Sequence, residues 1–112
     1  MFTTAVEALW IDVCSMNAIL PCAGVAALIA GEQVAIFRVG ADCYAISNYD
    51  PFSQAYVLSR GLVGDKNGVL KIASPIYKHT FNLVSGQCFE DETVCLRTWP
   101  VRVVDGMVQV AI

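Results

Sequence analysis

Charge is scarce in this chain. Asp, Glu, Lys and Arg make up only 15% of its 112 residues, against about 25% in an average soluble domain. The seven basic residues are scattered from Arg38 to Arg102 and the net charge is −3. No cationic stripe is present to displace counterions from a phosphate backbone, which argues against a nucleic-acid partner. Histidine occurs once, as His79. Zinc sites gather Cys and His at short spacing, and Cys14, Cys22, Cys43, Cys88 and Cys95 include no such pair, so no metal site is expected. An odd number of thiols would leave one over in any disulfide framework, and reduced cysteines of the cytoplasm fit better. Walker and dinucleotide-binding glycine fingerprints are missing too, which removes the usual phosphate cradles.

Long apolar runs are also lacking. The uncharged stretch Ala18 to Gly31 is shorter than the roughly 20 residues needed to cross a bilayer and is interrupted by Pro21 and Gly24. The start, Met1-Phe2-Thr3-Thr4 with Glu7 close behind, puts no basic segment ahead of an apolar one, so no secretory signal is expected. The expected location is the cytoplasm, with no membrane partner.

What is abundant is apolar side chain, at 56% of residues. A chain of this length falls in the usual range for one core, and a single domain over 1–112 is expected. So small a body cannot hide that much apolar surface. Either scattered side chains are exposed or a contiguous patch meets a partner.

Short strands separated by turn signals every eight to twelve residues predict an all-β protein with little or no helix. Trp10 to Cys14 reads as a first strand. Gly24 to Ala30, Gln33 to Val39 and Cys43 to Ser47 read as a meander turning at Gly31-Glu32 and Gly40-Ala41-Asp42. Asn48 to Gln54, with Asp50-Pro51, reads as a first loop. A polar turn is expected at Gly64 to Gly68, then a strand Val69 to Ala73 and a second loop from Pro75 to His79. Thr93 to Trp99 is expected as a strand, and Asp105-Gly106 as a tight hairpin between Val101–Val104 and Met107–Ile112.

Candidate chemistry is thin. A cysteine nucleophile with His79 as base is conceivable, but nothing in the spacing joins them. A buried cysteine is more often a small apolar residue, and His79 beside Lys78 reads as solvated. Glu90-Asp91-Glu92 reads as a solvated acidic face rather than a cation site.

The two loops carry the remaining signal. Tyr44-Ala45-Ile46-Ser47-Asn48 precedes Asp50-Pro51-Phe52, and Ile72-Ala73 precedes Ser74-Pro75-Ile76-Tyr77, with Phe81, Leu83 and Gly86 beyond. This framing resembles the cluster-binding region of Rieske iron–sulfur domains, and it implies an antiparallel β-sandwich with two loops at one tip. Asp50 and Ser74 stand where that family has cysteines, and Phe52 and Tyr77 stand where it has histidines. A Rieske centre needs two thiolates and two imidazoles, so one histidine excludes an ordinary centre within one chain.

A narrower resemblance covers most of the chain. Gln33-Val34-Ala35-Ile36-Phe37-Arg38, Val57-Leu58-Ser59-Arg60-Gly61, Gly86-Gln87-Cys88 with Glu90-Asp91, and Arg102-Val103-Val104-Asp105-Gly106 resemble the cluster-free small subunits of bacterial NAD(P)H-dependent nitrite reductases. That resemblance implies a large-subunit partner holding flavin, an iron–sulfur cluster and sirohaem and reducing nitrite to ammonium with NADH or NADPH. It implies no catalytic or cofactor-binding residue in this chain, which would dock on or stabilise the large subunit. An atypical Rieske-type electron carrier and a cofactor-free adaptor of another oxidoreductase are the alternatives. At the tip, Phe52, Tyr77 and Lys78 are the candidate interface; alternatively the two rings fill the space of a cluster.

Overall fold

A computed structural model describes residues 9–112. The segment read above against a secretory signal lies outside the described residues. Twelve strands and two short 3₁₀ turns make up the regular structure of the described residues. Among the described residues, no helix is long and apolar enough to cross a membrane.

The meander is present as β2 (Gly24–Ile29), β3 (Glu32–Val39) and β4 (Asp42–Ser47), and β4 is flanked by β10 (Thr98–Trp99), giving the sheet order β10-β4-β3-β2. A second sheet joins β1 (Trp10–Ser15) to β12 (Met107–Ala111) and β11 (Val101–Val104) in the order β1-β12-β11. A third sheet runs in sequence through β7 (Leu62–Lys66), β8 (Val69–Ala73) and β9 (Thr80–Asn82). All the pairings are antiparallel.

The strand β3 explains how these sheets assemble. Side chains alternate across a strand, and β3 is apolar on both sides: Val34 and Ile36 enter one core with Trp99, Val108 and Val110, while Ala35 and Phe37 enter the other with Ile46, Leu58, Ile72 and Phe81. The run Val34-Ala35-Ile36-Phe37 is fully buried, the pattern of a strand covered on both faces. The second core supports the two loops.

Several boundaries differ from the sequence expectation. The first hairpin turns at Ala30-Gly31, one residue early, because both take positive φ. Gly64 to Lys66 belong to β7, and the turn is confined to Asn67-Gly68, again both at positive φ. This Asn-Gly pair is a strong hairpin signal, masked by the polar side chains of an exposed strand. The expected strand Thr93 to Trp99 is regular only at Thr98–Trp99. Upstream of it, the Gln87 side-chain amide donates to the carbonyls of Val94 and Glu92 at 2.9 and 3.1 Å, and pairing is limited to an isolated Gln87–Cys95 bridge.

Gly86 closes that region. Its φ is +85°, and an added Cβ would lie 2.0 Å from the Leu96 carbonyl oxygen, which belongs to the segment whose Leu96 N–H donates to Gly86 O. Gly68 has φ +84° but open space around it. Gly86→Ala should therefore destabilise the fold by about 3 kcal/mol or more, adding a backbone clash to the left-handed cost, whereas Gly68→Ala should cost about 1 kcal/mol. Denaturant unfolding of the two variants checks the difference.

Candidate functional site

The first loop is built on a small ribbon of β5 (Tyr49–Asp50) and β6 (Ala55–Tyr56), whose tyrosine rings lie 5.0 Å apart. Asn48, almost fully buried, anchors its base. Its side-chain carbonyl accepts the Ser59 N–H at 2.7 Å, and its amide donates to Gln33 Oε1 at 3.2 Å. The second loop leaves β8 at Ala73 and re-enters the sheet at Thr80.

Asp50 and Ser74 are both fully buried, and they meet. Ser74 Oγ donates to Asp50 Oδ2, which also accepts Ser53 Oγ at 2.8 Å. Oδ1 accepts the Phe52 and Ser53 N–H groups at 2.9 and 3.4 Å. A buried carboxylate is tolerated only when so surrounded by donors. Burial pushes the Asp50 carboxyl pKa up, but the hydrogen bonds from Ser74, Ser53 and the two backbone N–H groups outweigh it and hold it below its ordinary 3.8. Ser53, three residues after Asp50, was not picked out from sequence. Its signal was the Asx-turn habit of an Asp followed by a small hydroxyl residue.

The remaining tip positions separate. Phe52 packs on the second core and stacks with His79, the ring centroids 3.7 Å apart and the planes 4° from parallel. His79 is thus half-buried rather than solvated as expected, and its Nδ1 is buried without a hydrogen-bond partner among the described residues. Tyr77 is 62% exposed, and Lys78 beside it is exposed with φ +64°. The ring that covers Phe52 is therefore His79, two residues beyond Tyr77.

The acidic run is partly engaged. Glu90 lies at the surface, yet its carboxylate accepts the Thr80 N–H at 2.7 Å and the Thr80 hydroxyl, fastening the start of β9 beside the second loop. Three of the five thiols are poorly suited to attack. Burial raises the pKa of Cys14, Cys43 and Cys88, which keeps them as thiols, whereas the thiolate is the nucleophile. His79 faces Phe52, not a cysteine.

A Rieske-type centre makes a specific demand on its donors. One iron needs two thiolates and the other two imidazoles. The loops offer a carboxylate and a hydroxyl bonded to each other, a phenyl ring, and a surface phenol. These residues do not fit that cluster, and the Asp50–Ser74 bond joins the two loops directly.

Comparison with known proteins follows the same lines. The family model for the Rieske-like [2Fe-2S] domain matches residues 9–111. The chain is 49% identical over 102 residues to a nitrite reductase (NADH) small subunit of Salmonella typhimurium, covering 89% of this chain and 94% of that one. It is 41% identical over 101 residues to a nitrite reductase [NAD(P)H] large subunit of Klebsiella oxytoca, covering 90% of this chain but 11% of that protein. A crystal structure described as a putative NADH-dependent nitrite reductase small subunit from Mycobacterium tuberculosis superposes with a TM-score of 0.90 at 40% identity, covering 96% and 97% of the two chains.

The buried carboxylate makes a signed prediction. A carboxyl whose folded pKa is depressed stabilises the fold above its unfolded pKa, and that contribution is lost as pH falls through the folded value. Wild-type stability should therefore decline as pH drops below about 4, and Asp50→Asn should flatten that dependence, measured by unfolding at pH 3 to 7. At pH 7 the same variant should cost about 2 kcal/mol, because with the amide oxygen kept on the Phe52 and Ser53 N–H groups an NH2 replaces Oδ2, the acceptor of the buried Ser74 and Ser53 hydroxyls.

Proposed function

Because the chain belongs to the Rieske-like [2Fe-2S] domain family and, within it, to the nitrite reductase small subunits, we propose that it acts as the non-catalytic small subunit of an NAD(P)H-dependent nitrite reductase. In this reading it is one domain, located in the cytoplasm, that docks on or stabilises a large subunit. Flavin, an iron–sulfur cluster and sirohaem belong to that large subunit, which carries the reduction of nitrite to ammonium.

The observation that carries the non-catalytic role is the tip. Its four ligand-equivalent side chains, Asp50, Phe52, Ser74 and Tyr77, are a hydrogen-bonded pair, a core-packed ring and a surface phenol. None is a donor that could hold an electron-transfer centre of the Rieske type. The Klebsiella match adds support for the partner, since there a segment like this chain lies within a polypeptide named as the large subunit.

For the contact itself, the tip offers Tyr77 and Lys78 at its surface, with Ile76 45% exposed alongside, and Phe52 beneath them holds His79 in place by stacking. A large apolar ring beside a cation suits the centre of a protein interface. Tagged chain should retain the large subunit from cells expressing both, together with NADH-dependent nitrite reduction, and loss of the chain should lower that activity at equal large-subunit levels. Lys78→Glu should weaken the association by about tenfold and alter its salt dependence. A complex unaffected by Lys78→Glu would remove the tip from the interface, and a chain that retains no large subunit would remove the proposed role.

A further inference from the structure

The sulfur atoms of the chain are not spread evenly. Cys22 and Cys95 are exposed, and Cys88 belongs to the second core beneath the tip loops. Cys14, Met16 and Cys43 instead meet at the first core, with Cys43 buried in it and the other two packed against it. They take no part in the tip.

The strand register explains why they meet. Cys14 pairs directly with Val108 on β12, and directly opposed residues share a face of their sheet. Val108 is fully buried in the first core, so Cys14 faces that core as well. Met16 lies two residues on, at the start of the 3₁₀ turn Met16–Ala18, where its N–H donates to the Gly106 carbonyl at 2.7 Å. From the other sheet, Cys43 on β4 enters the same core, and its Sγ lies 3.3 Å from Met16 Sδ. Cys–His spacing in the sequence does not register this cluster, because a thioether belongs to no such pattern and Cys43 arrives from a distant strand.

Arg38 holds the arrangement in place. It is the residue paired with Cys43 across β3 and β4, so its side chain leaves the sheet on the same face. Its guanidinium donates to the carbonyls of Ile19, Met16 and Gly40 at 3.2, 3.3 and 3.4 Å, which fastens the turn carrying Met16 beside Cys43. Burial first, then the neighbouring Cys14 group, push the Cys43 thiol pKa up; Arg38 pulls it down, and Asp42 adds a smaller rise.

Two thiols and a thioether make a soft donor set. Cysteine and methionine sulfurs favour Cu(I), whereas zinc favours four tetrahedral donors. Among the described residues, His, Cys, Asp and Glu form no group of three, so no imidazole or carboxylate completes a zinc site around the two thiols. Two thiolates around a monovalent cation leave one negative charge, which the Arg38 guanidinium on the same face offsets.

We infer that Cys14, Met16 and Cys43 form a three-sulfur site for a soft monovalent cation of the Cu(I) type. Cys14 and Met16 are only half-buried, which gives the cation a path from the surface. Binding exchanges two thiol protons for the cation and therefore strengthens as pH rises. Soft sulfur ligands hold the reduced ion, so the cation ties β1 and the turn after it to β4 and carries no electron. It joins the two sheets that enclose the first core, and a ligand bound only by the folded state stabilises that state. The inference stands apart from the small-subunit reading.

The test titrates the reduced whole chain with Cu(I), supplied anaerobically as its acetonitrile complex, against a chromophoric Cu(I) chelator. Wild type should take up one tightly held Cu(I) per chain, with three sulfur neighbours in its X-ray absorption spectrum and a raised denaturant midpoint. Cys43→Ser should lose this binding. Met16→Leu, a volume-conserving change, should weaken it by about tenfold or more with unchanged circular dichroism. The double variant Cys22→Ser/Cys95→Ser should bind as wild type, and Zn(II) should leave the midpoint unchanged. Should Cys43→Ser fail to fold, Met16→Leu and the Cys22/Cys95 variant decide. No tightly held Cu(I) in wild type, loss of binding in the Cys22/Cys95 variant, unweakened binding by Met16→Leu, or an equal midpoint rise with Zn(II) would each overturn the proposal.

Discussion

A carboxylate sealed from water must be given donors or it destabilises the fold. Asp50 meets that demand with Ser74, Ser53 and two backbone N–H groups, and much of the tip follows from it. The bond to Ser74 fixes the distance between the two loops. The bonds to Phe52 and Ser53 shape the first loop and direct the Phe52 ring to the second core, where His79 covers it. A metal cluster would supply such cross-loop bonds through its ligands; here one acid and its donors supply them.

The support beneath the tip is β3, buried on both faces between two cores. Its continuous apolar run was legible in the sequence, as were the meander, the closing Asp105-Gly106 hairpin and the positions of both loops, because each rests on local patterning or turn chemistry. The two-residue ribbon Tyr49–Asp50 with Ala55–Tyr56 was not legible, since so short a pairing leaves no periodicity. The irregular path of Thr93 to Arg97 was hidden for another reason: the long-range bonds of Gln87 override a β-prone composition there.

The site was half legible in the same sense. Sequence framing identified Asp50, Phe52, Ser74 and Tyr77 as the positions to examine, but not which would touch. Spacing cannot reveal that Asp50 meets Ser74 or that His79 covers Phe52, since both contacts depend on how β8 and the first loop meet in space. The apolar excess has no single location: Ile76 and Tyr77 are exposed at the tip, but Leu20, Leu62, Val84 and Phe89 are exposed elsewhere, so much of the excess is scattered exposure.

The central claim is that the chain serves its enzyme without a redox centre of its own. The direct measurement is iron and acid-labile sulfide analysis of the anaerobically purified chain, with an electron paramagnetic resonance spectrum after dithionite reduction. The account predicts iron far below one atom per chain and no reduced-cluster signal. Two irons and two sulfides per chain with a reduced [2Fe-2S] signal would contradict it.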